Sequence, residues 1–92
     1  MRMDEKTKIR RMLENGAPDQ AVKMINCSLE KGTNDDELYY LRGNAFMKLG
    51  DWKRAIESYM EALAINPQSP AKETLRMASD ILEFRNKDLY NQ

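Results

Sequence analysis

A pattern of small and aromatic residues occurs twice in this chain, at a spacing of 34 residues. The stronger copy lies in the middle of the sequence and comprises Gly43-Asn44-Ala45-Phe46, Gly50-Asp51-Trp52, Ala55, Tyr59, Ala62 and Pro67. The weaker copy precedes it: 34 positions before Phe46, Gly50, Ala55, Ile56, Tyr59 and Leu63 stand Met12, Gly16, Ala21, Val22, Ile25 and Leu29. A fixed period of this length is typical of helix-turn-helix repeats. Such repeats form binding surfaces rather than catalytic pockets, so the pattern indicates a class of activity without naming a partner.

Glycine, proline and capping residues divide the chain into five predicted helices, and no segment alternates for long enough to predict a strand. The predicted boundaries are about Met3 to Glu14, Pro18 to Lys31-Gly32, Asp35 or Asp36 to Leu49-Gly50, Asp51 to Asn66-Pro67, and Ser69-Pro70 to about Asn86. Asn15-Gly16 is expected to close the first helix as a left-handed cap, and Asp51 and Ser69 are expected to cap the last two helices. The predicted fold class is therefore all-α.

Apolar residues recur at helical spacing on one face of each predicted helix, and these faces define the expected core. In helix order they are Ile9, Met12 and Leu13; Ala21, Val22, Ile25 and Leu29; Leu38, Tyr39, Gly43 and Phe46; Ala55, Ile56, Tyr59, Ala62 and Leu63; Ala71, Leu75, Ala78, Ile81 and Leu82. Gly43, Ala55 and Ala62 remove side-chain bulk where paired helices would touch, which permits close approach of the helix axes.

The charge balance argues against nucleic acid and membrane as partners. The 15 Lys and Arg residues offset the 15 Asp and Glu residues, so the formal net charge is zero. The one basic run, residues 6–11, follows two acidic residues and is interpreted as an ordinary solvated first helix rather than a phosphate-binding patch. No apolar run approaches the roughly 20 residues that cross a bilayer, and the amino terminus lacks the apolar core of a signal peptide. We therefore expect a cytoplasmic protein that binds neither nucleic acid nor membrane.

The residue types that catalysis needs are scarce in this chain. There is no histidine, which removes the usual general base at neutral pH and the commonest metal ligand. The single cysteine, Cys27, can form neither an internal disulfide nor a zinc site alone, and its place beside Ile25 and Leu29 predicts a small buried hydrophobe. Asp80 and Glu83 stand three positions apart on the fifth helix with no base or nucleophile beside them. We expect a protein that is not an enzyme and that has no cofactor and no metal site.

Residues 36–69 resemble a tetratricopeptide (TPR) repeat. The resemblance is carried at the family's spacing by Tyr39, Gly43, Phe46, Ala55, Tyr59, Ala62 and Pro67, and at the internal turn by Gly50-Asp51-Trp52. Arg42 departs from the pattern, because the family usually has leucine there. We expect its stem to lie along the helix pair while its charge stays in water.

The resemblance extends more weakly over the rest of the chain. Residues 2–35 resemble a degenerate repeat, in which the family's aromatic, glycine, alanine and proline are replaced by Glu5, Ile9, Ser28 and Thr33. Residues 70–87 are similar to the capping helix that commonly follows a last repeat, and residues 88–92 form a tail. The resemblance implies a single domain over residues 1–92, built as a right-handed α-solenoid of about two antiparallel repeats plus the capping helix. The whole is similar to small stand-alone bacterial TPR proteins.

The resemblance also implies a concave groove for a peptide, lined by the first helix of each pair. The predicted groove residues are Lys6, Arg10, Leu13, Glu37, Tyr40, Asn44, Met47 and Lys48, with Thr74 and Ala78 facing them. Independently of the family, Tyr40, Asn44 and Met47 share a helix face, and a ring, an amide and a thioether form an adaptable contact surface. A second interpretation stays open, in which Tyr40 and Met47 pack inside the stack.

Two functions fit these features. The first is a non-catalytic protein–protein interaction module that accepts a peptide or helix of an unidentified protein partner, with Lys6, Arg10 and Lys48 favouring an acidic ligand. The C-terminal-carboxylate clamp of chaperone-binding TPR domains is poorly matched: Lys6 matches in type and Asn44 lies one turn from a clamp position, but Arg10, Leu41, Ala71 and Leu75 stand at or near the four others. The alternative is a self-associating structural or scaffold protein, such as a homodimer, because two and a half repeats leave apolar ends. Met77, Phe84 and Tyr90 lie outside the main core face of the fifth helix.

Ala55 is predicted to lie at a close helix crossing and to tolerate no added bulk. Ala55→Leu is expected to lower the free energy of unfolding by about 1–3 kcal/mol, because it overpacks the crossing. The measurement is a thermal melt beside the surface control Lys53→Ala. Equal melting temperatures for the two variants would show that Ala55 is not at a crossing.

Overall fold

The computed structural model describes residues 4–77, which form helices joined by short turns. The helices are α1 (Glu5–Glu14), α2 (Pro18–Glu30), α3 (Asp36–Leu49) and α4 (Trp52–Ile65), and residues 71–77 are the helical start of the predicted fifth element. No strand is present within this range. The predicted all-α class is confirmed. The later fifth-helix positions, including Ala78, Ile81 and Phe84, and the tail with Tyr90 lie outside the described residues.

The helix ends follow the capping chemistry that the sequence predicts. Three aspartates stand before helices and accept hydrogen bonds from backbone N–H groups of the first turn: Asp4 from Thr7 at 2.7 Å, Asp35 from Glu37 at 2.9 Å and Asp51 from Arg54 at 3.2 Å. Ser69 Oγ likewise accepts from the Ala71 N–H at 3.1 Å where the fifth helix begins. Gly50 ends α3 with φ of 78°, a conformation that other residues rarely adopt.

Two clusters of buried residues form the core, one in each helix pair. The first cluster joins α1, α2 and the inner face of α3 through Ile9, Leu13, Ala21, Ile25, Leu38, Leu41 and Ala45. The second joins α3, α4 and the start of the fifth helix through Ala55, Tyr59, Ala62 and Ala71. Since α3 packs against α1, α2 and α4, it is the element that connects the two pairs.

Gly43 and Tyr59 are packed against each other where α3 crosses α4. A Cβ atom built on Gly43 would lie 2.4 Å from Cε1 of the Tyr59 ring, so the ring occupies the space that any side chain at this position would need. Tyr59 is 1% exposed. The equivalent positions in the first repeat are Ile9 and Ile25, both fully buried. One pair of helices therefore combines glycine with tyrosine, and the other fills its interior with two isoleucines.

A polar pair accounts for two of the departures in the degenerate repeat. The hydroxyl of Ser28 on α2 donates a hydrogen bond to Oε1 of Glu5 on α1. Ser28 is buried, so its hydroxyl needs a partner inside the fold. Glu5 and Ser28 stand where the TPR pattern has an aromatic residue and an alanine, and they replace an apolar contact with a hydrogen bond.

The prediction that Cys27 is buried is wrong. The cysteine is exposed, because α2 turns Ala21, Ile25 and Ser28 toward the core. Cys27 follows Ile25 by two positions, which on a helix with 3.6 residues per turn places it about 200° around the axis, on the opposite side. Its apolar neighbours along the chain suggested burial, but the helical period places it outside.

A methyl group at Gly43 tests the contact with Tyr59 through two effects of opposite sign. Gly43→Ala favours the helix by about 1 kcal/mol, whereas overpacking typically costs about 1–3 kcal/mol. We expect a net fall in the free energy of unfolding, measured in urea. In a Tyr59→Ile background, which removes the ring and copies the first repeat, the same change is expected to be neutral or stabilising. An equal loss in both backgrounds would contradict the contact.

Candidate functional site

The first helix of each pair borders one face of the molecule, and this face carries a groove. A cleft of about 510 Å³ is lined by Arg10, Leu13, Glu14, Tyr40, Leu41, Asn44, Met47 and Lys48. A second cleft of about 330 Å³ is lined by Arg10, Asp36, Glu37, Tyr40, Leu41, Ser69 and Pro70. Both clefts are bordered by Arg10, Tyr40 and Leu41. The two clefts therefore form one concave groove that runs to the start of the fifth helix.

Six of the eight residues predicted for the groove line the larger cleft, and Glu37 lines the adjoining one. The eighth, Lys6, is joined to the groove by its ion pair with Glu37. Thr74, predicted to face these residues, turns its hydroxyl toward the Pro70 carbonyl of its own helix at 3.3 Å. Ala78 lies outside the described residues.

Tyr40 and Met47 belong to both the groove and the core. Each is half-buried, packs against the second core cluster and lines the larger cleft. The Tyr40 ring lies 6.0 Å from the Tyr59 ring, centroid to centroid, with a tilt of 45°, a separation within the range of favourable aromatic pairs. Beneath them, Leu13 is 7% exposed and Leu41 is 4% exposed. The groove thus has a buried apolar floor.

An ion-pair network spans α1 and the start of α3 at one end of the groove. Lys6 Nζ lies 2.6 Å from Asp35 Oδ2 and 3.2 Å from Glu37 Oε2. The guanidinium of Arg10 pairs with the other carboxylate oxygen of Glu37. The two cations that the sequence suggested for an acidic ligand therefore already have carboxylate partners within the chain. Asp35 performs two roles, since it also caps α3.

Asn44 is held at the groove wall by a buried hydroxyl. Tyr59 reaches past Gly43 and donates its phenolic proton to Oδ1 of Asn44 at 2.6 Å. Burial, with a smaller contribution from Tyr40, raises the pKa of Tyr59 above its ordinary value of 10.0. The phenol therefore stays protonated, and remains a donor, at every pH near neutrality.

Known proteins resemble this chain in sequence and in structure. The family model for the tetratricopeptide repeat matches residues 37–69. The TPR repeat-containing protein MJ1428 of Methanocaldococcus jannaschii is 37% identical over 68 residues, which is 74% of this chain and 12% of that protein. The solution NMR structure of Bacteroides fragilis protein BF1650 superposes with a TM-score of 0.85 at 42% identity, over 98% of this chain and 92% of that one. The chain belongs to the tetratricopeptide repeat family.

TPR repeats generally mediate protein–protein interaction and are generally not enzymes. The family model covers the strong repeat, whereas the structural match spans nearly the whole chain and so includes the degenerate one. Within residues 4–77, no group of three or more His, Cys, Asp or Glu side chains is placed to hold a metal ion. Over the same range, no helix is both long and apolar enough to cross a membrane.

Arg42, the departure from the TPR pattern, joins three helices on the face opposite the groove. Its Nε donates to Ser58 Oγ on α4 at 3.1 Å, and one terminal nitrogen donates to Asn26 Oδ1 on α2 at 2.9 Å. The guanidinium also lies over the Tyr39 ring, 5.0 Å from its centroid. Arg42 is partly buried and borders an open cleft, and its guanidinium has these side-chain partners in addition to whatever contact with water the sequence predicts. Asn26 and Ser58 each stand 16 positions from Arg42, a separation that no local pattern reveals.

Replacing Arg42 by another cation tests whether its geometry or its charge stabilises the repeat. Arg42→Lys is expected to lower the free energy of unfolding by about 1 kcal/mol or more, because an ammonium group lacks the planar fork that reaches both partners and stacks on a ring. The matched control is Arg54→Lys, whose exposed ion pair with Asp51 within one helix turn should contribute less than about 0.5 kcal/mol. Chemical denaturation curves of both variants decide it, and equal midpoints would show that charge alone matters at Arg42.

Proposed function

We propose that this chain is a non-catalytic interaction module that binds a peptide or helix of a partner protein in its concave groove. The observation that carries the proposal is the groove itself, in which buried Leu13 and Leu41 form an apolar floor beneath Tyr40, Asn44 and Met47. Rigid aromatic area with adaptable polar and thioether groups is the composition of a protein-binding surface. The general role of TPR repeats supports the same function. The cytoplasmic location expected from the sequence stays a prediction.

Within this proposal, an acidic ligand is less well supported than a neutral one. Lys6 and Arg10 are paired with Asp35 and Glu37, so an incoming carboxylate has to compete with a tethered one. Lys48 lines the groove at its other end and is exposed. A ligand with a neutral central part, and acidic character only near Lys48, leaves the internal network intact.

Self-association is the second candidate. Among residues 4–77, three large apolar side chains are exposed at the surface: Leu49 by 48%, Met60 by 57% and Met77 by 55%. Light scattering across a dilution series separates the two functions. A mass that stays that of one chain at micromolar concentration supports the interaction module. A dimer that dissociates on dilution and is weakened by Met77→Lys supports the scaffold.

The groove is expected to contain the residues that bind the partner. Tyr40→Ala should weaken a true complex by at least about 1 kcal/mol, roughly fivefold in Kd, because buried aromatic residues carry much of the energy of an interface. Arg10→Ala should weaken the complex by a similar amount where the ligand reaches the end of the groove at Arg10. The control is Lys23→Ala, which changes an exposed residue of a different cleft on α2.

The measurement begins with affinity capture from the native host and mass spectrometry, comparing wild type with Tyr40→Ala. Affinities of the identified partner follow for all variants, after circular dichroism has shown each to be folded. If Lys23→Ala weakens binding and Tyr40→Ala does not, the groove is not the site.

Glu37→Gln distinguishes an acidic ligand from a neutral one. The change removes the carboxylate that holds Arg10 and half of the pairing of Lys6. An acidic ligand is expected to bind roughly twofold to fivefold more tightly, as partly exposed ion pairs of this kind contribute less than about 1 kcal/mol. The control Glu30→Gln removes the same charge from the opposite face. Unchanged or equal affinities for both variants would contradict an acidic ligand.

A further inference from the structure

The side chain of Asn44 has two ends that occupy different environments. Its Oδ1 accepts a hydrogen bond from the Tyr59 hydroxyl at 2.6 Å, on the side toward α4. Its Nδ2 makes no hydrogen bond to any group within residues 4–77, although the residue lines the concave groove. No buried side-chain nitrogen or oxygen in this range lacks a hydrogen-bond partner. It follows that the Nδ2 group is open to the groove.

Tyr59 has little freedom to release Asn44. Its ring is 1% exposed and fills the space that a side chain at Gly43 would occupy. A free asparagine can turn its amide and offer either an acceptor oxygen or a donor N–H₂ to a ligand. Turning this one would bring Nδ2 to the Tyr59 oxygen, which can accept, but it would leave the phenolic hydrogen without the acceptor that Oδ1 provides. A buried O–H donor without an acceptor is costly.

We propose that Tyr59 is a positioning residue that fixes Asn44 as a hydrogen-bond donor to the ligand, so that the groove recognises a backbone carbonyl oxygen of the bound peptide. The proposal rests on the proposed function of the groove. A neutral carbonyl, rather than a carboxylate, is the acceptor that we assign, because Arg10 in the same cleft is already paired with Glu37 and the carboxylate of Glu14 also lines that cleft. Lys48, one helix turn from Asn44, is left for acidic groups elsewhere on the ligand. A peptide N–H group at the same point would face the two N–H donors of the Asn44 amide and could not pair with them. The groove therefore selects the register of the peptide as well as its composition.

The positioning role is tested first in the free protein. The side-chain amide of Asn44 is observed by ¹⁵N NMR, and its heteronuclear NOE reports how rigidly it is held. In Tyr59→Phe, which removes only the hydroxyl, the NOE is expected to fall toward the value of an exposed asparagine. Tyr40→Phe is the matched control, since it removes a hydroxyl from the adjacent ring of the same aromatic pair. An NOE unchanged in Tyr59→Phe would overturn the proposal, whatever the groove binds.

The donor role is tested with a peptide selected from a random displayed library on the wild-type protein, and retained only if Tyr40→Ala abolishes its binding. Single thioamide replacements along its backbone weaken one carbonyl acceptor at a time. One replacement is expected to reduce wild-type affinity roughly threefold to tenfold, the effect of one hydrogen bond. The same replacement should have little effect on Tyr59→Phe. Asn44→Asp, which keeps an acceptor for Tyr59 and removes the donors, should weaken the peptide at least as much without lowering the melting temperature.

The outcomes separate the two levels of the proposal. If no peptide depends on Tyr40, the proposed function of the groove fails and the donor role fails with it, whereas the NMR result still decides the positioning bond. If peptides bind but no thioamide position is coupled to Tyr59, the groove function stands and the carbonyl assignment is wrong. If alanine replacement of an Asn or Gln of the peptide abolishes the effect, the acceptor is a side chain and the assignment to the backbone is overturned.

Discussion

The packing of the Tyr59 ring over Gly43 is the constraint on which the strong repeat depends. Any side chain at Gly43 would overlap the ring, so the Tyr59 ring can pack against α3 in this position only because residue 43 is glycine. The consequence extends beyond the core. Because the ring passes α3 where there is no side chain, its hydroxyl reaches Asn44 on the groove side of the same helix. A contact made for packing thus determines which polar group the concave surface presents.

The first repeat reaches a similar shape by different means, and its polar surface differs accordingly. Ile9 and Ile25 replace glycine and tyrosine, so no hydroxyl crosses from α2 to the groove. The position equivalent to Asn44 is Arg10, and it is held by Glu37 of the following repeat rather than by its own second helix. One groove residue is therefore oriented within its repeat, and the other by the contact between repeats. The degenerate repeat lacks an internal bond like that from Tyr59 to Asn44, and its groove residue is held by an ion pair with the neighbouring repeat.

The features that sequence predicted well are those decided by neighbours along the chain. Asp51 and Ser69 are predicted as caps and act as caps, and of the two candidates Asp35 and Asp36 it is Asp35 that caps α3. A cap needs only the first turn of its own helix. The features that were missed depend on side chains brought together by the fold: the Arg42 bonds to Asn26 and Ser58, and the pairing of Lys6 and Arg10 with α3. Long side chains have several partners within reach, and only the tertiary arrangement selects among them. The prediction for Cys27 is wrong for a simpler reason: its neighbours along the chain are apolar, but the helical period places it on the side of α2 away from Ala21, Ile25 and Ser28.

For the proposed interaction, the electrostatic arrangement of the groove favours recognition by hydrogen bonding and shape over recognition by charge. The sequence placed cations along this face and suggested attraction to acidic ligands, yet two of those cations are already neutralised within the chain. Net charge over the whole chain is zero as well, so long-range steering of a charged partner is weak. In the proposed complex, affinity would then come from apolar area over Leu13 and Leu41, which is tolerant of sequence and direction. The direction of a bound peptide would have to be set by a group that is both polar and fixed. Among the lining residues Asn44 meets both conditions, because the buried hydroxyl of Tyr59 holds one end of its amide and leaves the other end to the groove.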